Sequence, residues 1–329
     1  MKNLIIILTL VSTLVSCRKE STNPRPAQNP NDKKYSLTFN ISDFSQQVQG
    51  IKTGSSISEA PLTDFANYFV YIAYNSAGTE VSRLKQDSVG NTTRIRNPFP
   101  DSYLPEEPLG LQTFGCIKDS LVAGEYTIVM IASKRTFSIN NRGEQTLDYT
   151  FQPFDNASFY YNRGLDSWSR ADDTFFKKFT VTVENEDLQE NVVLNRIVGK
   201  AEINITDSKP GTSYKFLFIE ENEAFKFENE QPFGNTADVD DEEYIDAVDG
   251  KANLSFSKFI LNTSTPIDVI IKVYEGGVLS ASKTIEDVRF YKNKRTILTG
   301  NIYSPKSVST GFTVTVNEAF DEDTEEVSF

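Results

Sequence analysis

Thiols, carboxylates and aromatic rings are the side chains through which this chain could do chemistry, because histidine is absent from all 329 residues. Without an imidazole, neither Ser-His-Asp nor Cys-His catalysis can be assembled, and His-ligated zinc is excluded with them. Neither a phosphate-binding loop nor a dinucleotide fingerprint occurs. The 46 acidic residues leave a glycoside-hydrolase carboxylate pair formally open, but sequence cannot bring two of them to the required separation. No residue is assigned a catalytic role, no cofactor is required, and the chain is read as a non-enzyme. The stretch Asp238-Val239-Asp240-Asp241-Glu242-Glu243, continuing to Asp246 and Asp249, offers the oxygen ligands that calcium takes. It lacks the glycine of a helix-loop-helix calcium site, so a solvated acidic loop over 238–249 is expected and no metal ligand is assigned. Asp321, Glu322, Asp323, Glu325 and Glu326 read as a solvated tail. Phe159-Tyr160-Tyr161 together with Trp168 makes either an aromatic platform for sugar rings or part of a core.

The thiols are two, Cys17 and Cys116. Cys17 follows a single charge, Lys2, and an uncharged run over 4–15, which is the layout of a secretory signal. Such a run falls short of the roughly 20 residues that span a bilayer. Leu14-Val15-Ser16-Cys17 resembles the bacterial lipobox, whose cysteine is diacylated and becomes the first residue after cleavage. Two or more acyl chains hold a protein stably at a membrane where one does so only marginally. Residues 1–16 are thus read as a lipoprotein signal peptide, and Cys17 as the lipidation site. Arg18, rather than aspartate, follows it, which in enteric lipoproteins resembles the signal for release to the outer membrane. Lipidation of Cys17 leaves Cys116 no intramolecular partner, so Cys116 is expected to be a buried thiol serving as a small apolar side chain.

Residues 17–34 carry Pro24, Pro26 and Pro30 among serine, asparagine and charge, and cannot bury enough surface to offset their ordering entropy. They form a flexible tether. The formal charge of −13 suits solubility and makes nucleic acid an improbable partner, since that binding needs clustered lysine and arginine.

The elements that must position these groups are strands. Tyr35, Leu37, Phe39 and Ile41 alternate with polar residues, and so do Ala201, Ile203 and Ile205, the stretch 267–273, and Phe312, Val314 and Val316. Residues 68–74 are continuously apolar or aromatic, as a strand buried on both faces would be. Turn chemistry punctuates them: Asn75-Ser76-Ala77-Gly78, Asn140-Asn141-Arg142-Gly143, Lys209-Pro210-Gly211, Asp249-Gly250 and Glu275-Gly276-Gly277. An all-β antiparallel sandwich architecture follows. The best helical candidate is 165–178, where Trp168, Ala171, Phe175 and Phe179 fall at spacings of three and four. About 295 residues from Tyr35 on exceed one comfortable sandwich, so two closely joined domains are expected, 35–195 and 196–329.

Three segments together resemble the fimbrillin superfamily of Bacteroidota, lipoprotein-derived pilus subunits. Leu121-Val122-Ala123-Gly124-Glu125-Tyr126 is similar to its "L-x-x-G-x-Y" strand opening. Val193-Leu194-Asn195-Arg196-Ile197-Val198-Gly199-Lys200 resembles the "L-x-R-x-V-A-K" start of its second domain. Asn293-Lys294-Arg295-Thr296-Ile297-Leu298-Thr299-Gly300-Asn301 resembles its "N-K-x-T-x-L-T-G-N-L" strand. The resemblance implies two tandem transthyretin-like β-sandwiches, a lipidated precursor, and polymerisation by strand exchange with other fimbrial subunits. A place on the outer membrane is expected, with host or glycan surfaces as further candidate partners. Phe312, Val314 and Val316 are a candidate donor strand, or else close their own domain. In shaft subunits of the family a trypsin-like protease, often Arg-specific, cuts after the first strand. Between Asp43 and Asn67 the only basic residue is Lys52, so Lys52 is the candidate processing site and an Arg-specific enzyme finds none. An anchor or accessory subunit, which keeps its first strand and its lipid, is the expectation. The alternative is a surface glycan-binding lipoprotein using the aromatic platform.

Overall fold

The computed structural model describes residues 33–45, 62–96, 106–140, 151–161, 171–235, 241–246, 253–303 and 312–317. Eleven strands precede residue 197: β1 (Lys34–Ser45), β2 (Tyr68–Asn75), β3 (Glu80–Asp87), β4 (Asn91–Ile95), β5 (Glu106–Leu111), β6 (Cys116–Val122), β7 (Gly124–Ser133), β8 (Phe137–Ile139), β9 (Ser158–Tyr161), β10 (Thr174–Val183) and β11 (Leu188–Arg196). Ten follow: β12 (Gly199–Ile205), β13 (Thr212–Ile219), β14 (Asn222–Lys226), β15 (Gln231–Asn235), β16 (Asp241–Asp246), β17 (Leu254–Ile260), β18 (Ile267–Glu275), β19 (Val278–Val288), β20 (Arg295–Gly300) and β21 (Phe312–Asn317). The one α-helical segment among the described residues is the single turn α1 (Leu62–Phe65). The all-β sandwich reading of the sequence is what the chain adopts.

A nine-stranded sheet runs β5-β4-β3-β2-β7-β10-β11-β1-β6. It folds over on itself at the β10–β11 junction, where only Phe175↔Arg196 and Phe176↔Asn195 are paired. Leu37 and Phe39 of β1 then meet Tyr71 of β2, Ile128 and Met130 of β7 and Ile117 of β6 in one core. The alternation of β1 specifies this: Tyr35, Leu37 and Phe39 point inward, and Ser36, Thr38 and Asn40 point outward. A second sandwich packs sheet β17-β12-β20-β21 against sheet β16-β13-β18-β19. Its core holds Ala201, Ile203 and Ile205 of β12 against Phe216 and Phe218 of β13 and Ile271 and Val273 of β18.

The run 68–74 is buried on both faces, as its composition requires. Phe69, Tyr71 and Ala73 face the first core, whereas Val70, Ile72 and Tyr74 face a third cluster with Phe159, Phe176, Phe225 and Phe227. This cluster is roofed by a small sheet, β15-β14-β9-β8, in which β9 from the first half of the chain pairs antiparallel with β14 from the second.

Several expectations change. Two ladders, β1 with β11 and β12 with β20, are parallel; alternation reports which face a residue takes and carries no direction of pairing. The helical candidate is overturned where it is described, since residues 174–178 lie in β10. Phe175 and Phe179 are four apart, a spacing that fits one helical turn and two strand repeats equally, and both rings join the first core. Trp168 lies outside the described residues. The acidic loop is likewise interrupted: Asp241–Asp246 is β16, an edge strand paired with β13, and such edges tolerate charge. The rest of 238–249 and the acidic tail lie outside the described residues. Cys116 is half-buried rather than buried, because it opens β6 at a turn through Gly115. At Gly115 φ is +81°, a conformation that strains any larger residue, and a Cβ would crowd the Leu62 side chain at 2.6 Å.

Candidate functional site

The first and last described strands have opposite settings. β1 is an inner strand: Leu37 to Ser45 run parallel to Leu188 to Asn195 of β11, and Lys34 to Asn40 run antiparallel to Cys116 to Val122 of β6. Leu37 and Phe39 are fully buried, and the Tyr35 hydroxyl donates to Asn185 Oδ1 at 3.0 Å. The candidate donor residues occupy β21, an edge strand paired with β20 alone, with Val314 opposite Leu298 and Val316 opposite Thr296. Directly opposed residues share a face. Leu298 is fully buried, so Val314 and Val316 point inward, yet they are 46% and 41% exposed. Only Phe312 reaches the second core, and the Lys283 ammonium lies 5.3 Å from its ring centre. Cys17 and Lys52 lie outside the described residues.

Two of the three segments singled out by their motifs converge. β12 and β20, from the second and third, pair side by side from Lys200↔Arg295 to Ile205↔Gly300. Gly199 sits against the backbone of Tyr291, whose carbonyl oxygen would lie 2.7 Å from a Cβ. In the first segment the Tyr126 hydroxyl donates to the Val122 carbonyl at 3.0 Å, bracing the tight step at Gly124 between β6 and β7.

Sequence patterning missed the role of Arg196. Its Nε and Nη2 donate to the two oxygens of Asp173 at 2.7 and 2.9 Å, and its Nη1 donates to Asn293 Oδ1 at 2.9 Å. The guanidinium also lies 4.8 Å from the Phe175 ring centre. An arginine fork is rigid and bidentate, so this group fixes β10, β11 and the β19–β20 connection to one another. Lys178 adds a second tie, donating to the carbonyl of Glu228 at 2.8 Å. The "R" of the second motif was the available signal, and what it lacked was a partner, since Asp173 and Asn293 are remote in sequence.

Of the aromatic platform residues described, Phe159 and Tyr161 are buried, Phe159 stacks 5.7 Å from Phe225, and the Tyr161 hydroxyl donates to Thr174 Oγ1 at 2.8 Å. Burial pushes the Tyr161 phenol far above its usual range. These two rings join the core, because β9 covers the outer face of β2 and β7, whereas Tyr160 is half-buried with its ring 5.7 Å from that of Phe233.

No family model and no curated protein matches this chain. Solved structures do resemble it. With 10% identity and a TM-score of 0.50, 81% of this chain overlays 92% of a protein from Bacteroides thetaiotaomicron VPI-5482, described provisionally as polysaccharide binding. A provisionally assigned adhesin from Bacteroides ovatus is similar at a TM-score of 0.49, with 9% identity and coverage of 86% and 92%. The fimbrial anchor protein Mfa2 from Porphyromonas gingivalis is similar at 0.47, with 12% identity and coverage of 87% and 98%. At such identities, what the first of these shares with this chain is its fold.

Proposed function

We propose that this chain is a non-catalytic, lipid-anchored subunit of a cell-surface fimbria, held at the outer membrane through Cys17 and serving as an anchor or accessory subunit. Its two sandwiches, 35–195 and 196–329, are the structural units of that role. The observation that carries the anchor reading is the setting of β1. Paired on both edges and buried through Leu37 and Phe39, it is an integral strand of the first sandwich. A subunit that keeps β1 has that slot filled and remains covalently continuous with Cys17. The second sandwich supplies the contact to the next subunit, through the edge strand β21 and its inward, exposed Val314 and Val316. A sheet edge offers unpaired backbone groups to an added strand. The fold shared with a protein described as polysaccharide binding supports an adhesive part in the same role.

N-terminal sequencing and intact mass of the protein sheared from cells test this reading. A lipidated chain beginning at Cys17 is expected. A chain beginning at Thr53, after cleavage at Lys52, would make it a polymerising subunit instead. Cys17→Ser is expected to release folded protein from the membrane fraction, and retention after a carbonate wash would refute the lipid anchor.

A further inference from the structure

Beside β8, the outer face of the first sandwich holds a cleft of about 280 Å³. Strand register gives its floor. Tyr68 is opposite Asp87, Val70 is opposite Lys85, and Lys85 is opposite Thr93 in turn. These side chains therefore rise from one face. Phe137 forms a wall, and Glu106 stands at the rim.

The polar groups on this floor are held in place. Asp87 Oδ1 accepts from the backbone N–H of Val89 and of Asn91, each at 3.0 Å, and Oδ2 accepts from Asn91 Nδ2 at 2.7 Å. The Asn91 amide, with these backbone donors, keeps the Asp87 carboxyl below its usual range, so it is an ionised acceptor at neutral pH. Lys85 is half-buried, and burial, reinforced by Arg83, lowers its amine to about 8. Tyr68 is 38% exposed, an aromatic ring left at the surface next to a cavity.

We infer that this cleft binds one ring of a neutral sugar. The charges decide against an anionic ligand: Lys85 is outnumbered by Asp87 and Glu106, so a full negative charge meets repulsion. A hydroxyl-rich ring meets none, since each hydroxyl both donates and accepts. Its donors suit Asp87 and Glu106, its acceptors suit Lys85 and the Asn91 amide, and its C–H face suits the Tyr68 ring. Concave sites with a few fixed polar groups and an aromatic surface are the usual setting for a small ligand. An added peptide strand is a poorer occupant, because β8 is only three residues long.

The inference gives a ligand to the adhesive part of the proposed role and rests on it only there. Shearing and sequencing test assembly, and sugar titration tests the cleft, so either can fail alone. The experiment is saturation-transfer NMR on the intact chain in a non-glycosidic detergent, with methyl glycosides of glucose, galactose, mannose and N-acetylglucosamine and with glucuronate. Transfer to at least one neutral glycoside is expected, with a Kd of about 1 mM for a single ring. Tyr68→Ala and Lys85→Met should each weaken it about tenfold while the thermal midpoint holds. Where Lys85→Met fails to fold, Glu106→Gln at the exposed rim takes its place, with an expected loss of about threefold. No transfer from any neutral glycoside, transfer from glucuronate alone, or transfer indifferent to Tyr68→Ala would overturn the inference.

Discussion

The two sandwiches repeat one arrangement and differ at one seam. In the first, β1 lies between an antiparallel neighbour, β6, and a parallel one, β11; in the second, β12 lies in the same way between β17 and β20. The facing layers correspond too, β3-β2-β7-β10 against β16-β13-β18-β19. At the seam they part. β10 pairs with β7 along its whole length and also with β11, joining the two layers of the first sandwich by hydrogen bonds. β19 pairs with β18 and makes no ladder to β20 or β21 among the described residues, so β21 ends its sheet with Val314 and Val316 uncovered. Similar strands thus make one sandwich whose layers are joined by a ladder and one whose layers are not.

Core substitutions sharpen this contrast most. Phe39→Ala at the middle of the first sandwich should cost about 3–5 kcal/mol in chemical denaturation, since a fully buried ring is lost and the site collapses only in part. A cost below about 1 kcal/mol would mean that β1 is loosely held, contrary to its pairing on both edges.

Breaking the tie between the halves comes next. Arg196→Met leaves the buried Asp173 carboxylate without its bidentate partner, which should cost about 3 kcal/mol. Arg196→Met combined with Asp173→Asn should recover much of the loss, and a double variant no better than the single one would show that the pair does not act as a unit.

At the unjoined seam the effect is small. Val314→Ala and Val316→Ala should each cost under about 1 kcal/mol, because side chains already 46% and 41% exposed have little burial to lose. The same substitutions should reduce recovery of the chain in sheared polymer. A large stability loss with unchanged recovery would place both valines in the domain's own closure.

A further effect is one of pH. The Lys85 amine is lowered to about 8 by burial, whereas an unfolded lysine titrates near about 10.4. Between those values the unfolded chain holds the extra proton, so this group's contribution to stability rises with pH across that window. Lys85 should be the lysine of the first sandwich most readily acylated near pH 8, as peptide mapping after brief labelling would reveal. Labelling with a midpoint near that of exposed lysines would remove it from the desolvated floor of the cleft.

Local pattern by itself determined several of the strands and which face their residues take. The alternation over 35–41, 201–205 and 312–316 became β1, β12 and β21, and the unbroken apolar run over 68–74 became a strand between two cores. Period two is a property of one segment, set by the pleat, and needs no knowledge of a partner. Tertiary structure alone decided which edge each strand would meet and in which direction. Backbone donors and acceptors are the same in every strand, so nothing in the alternation of β1 or β21 distinguishes an inner strand from an edge. The same limit hid the fates of 174–178, of Phe159 and Tyr161, and of Arg196. The chain makes a strand of the first because its rings divide between two cores, buries the second pair because β2 and β7 need a roof, and gives Arg196 its meaning through Asp173 and Asn293, which only folding brings within reach.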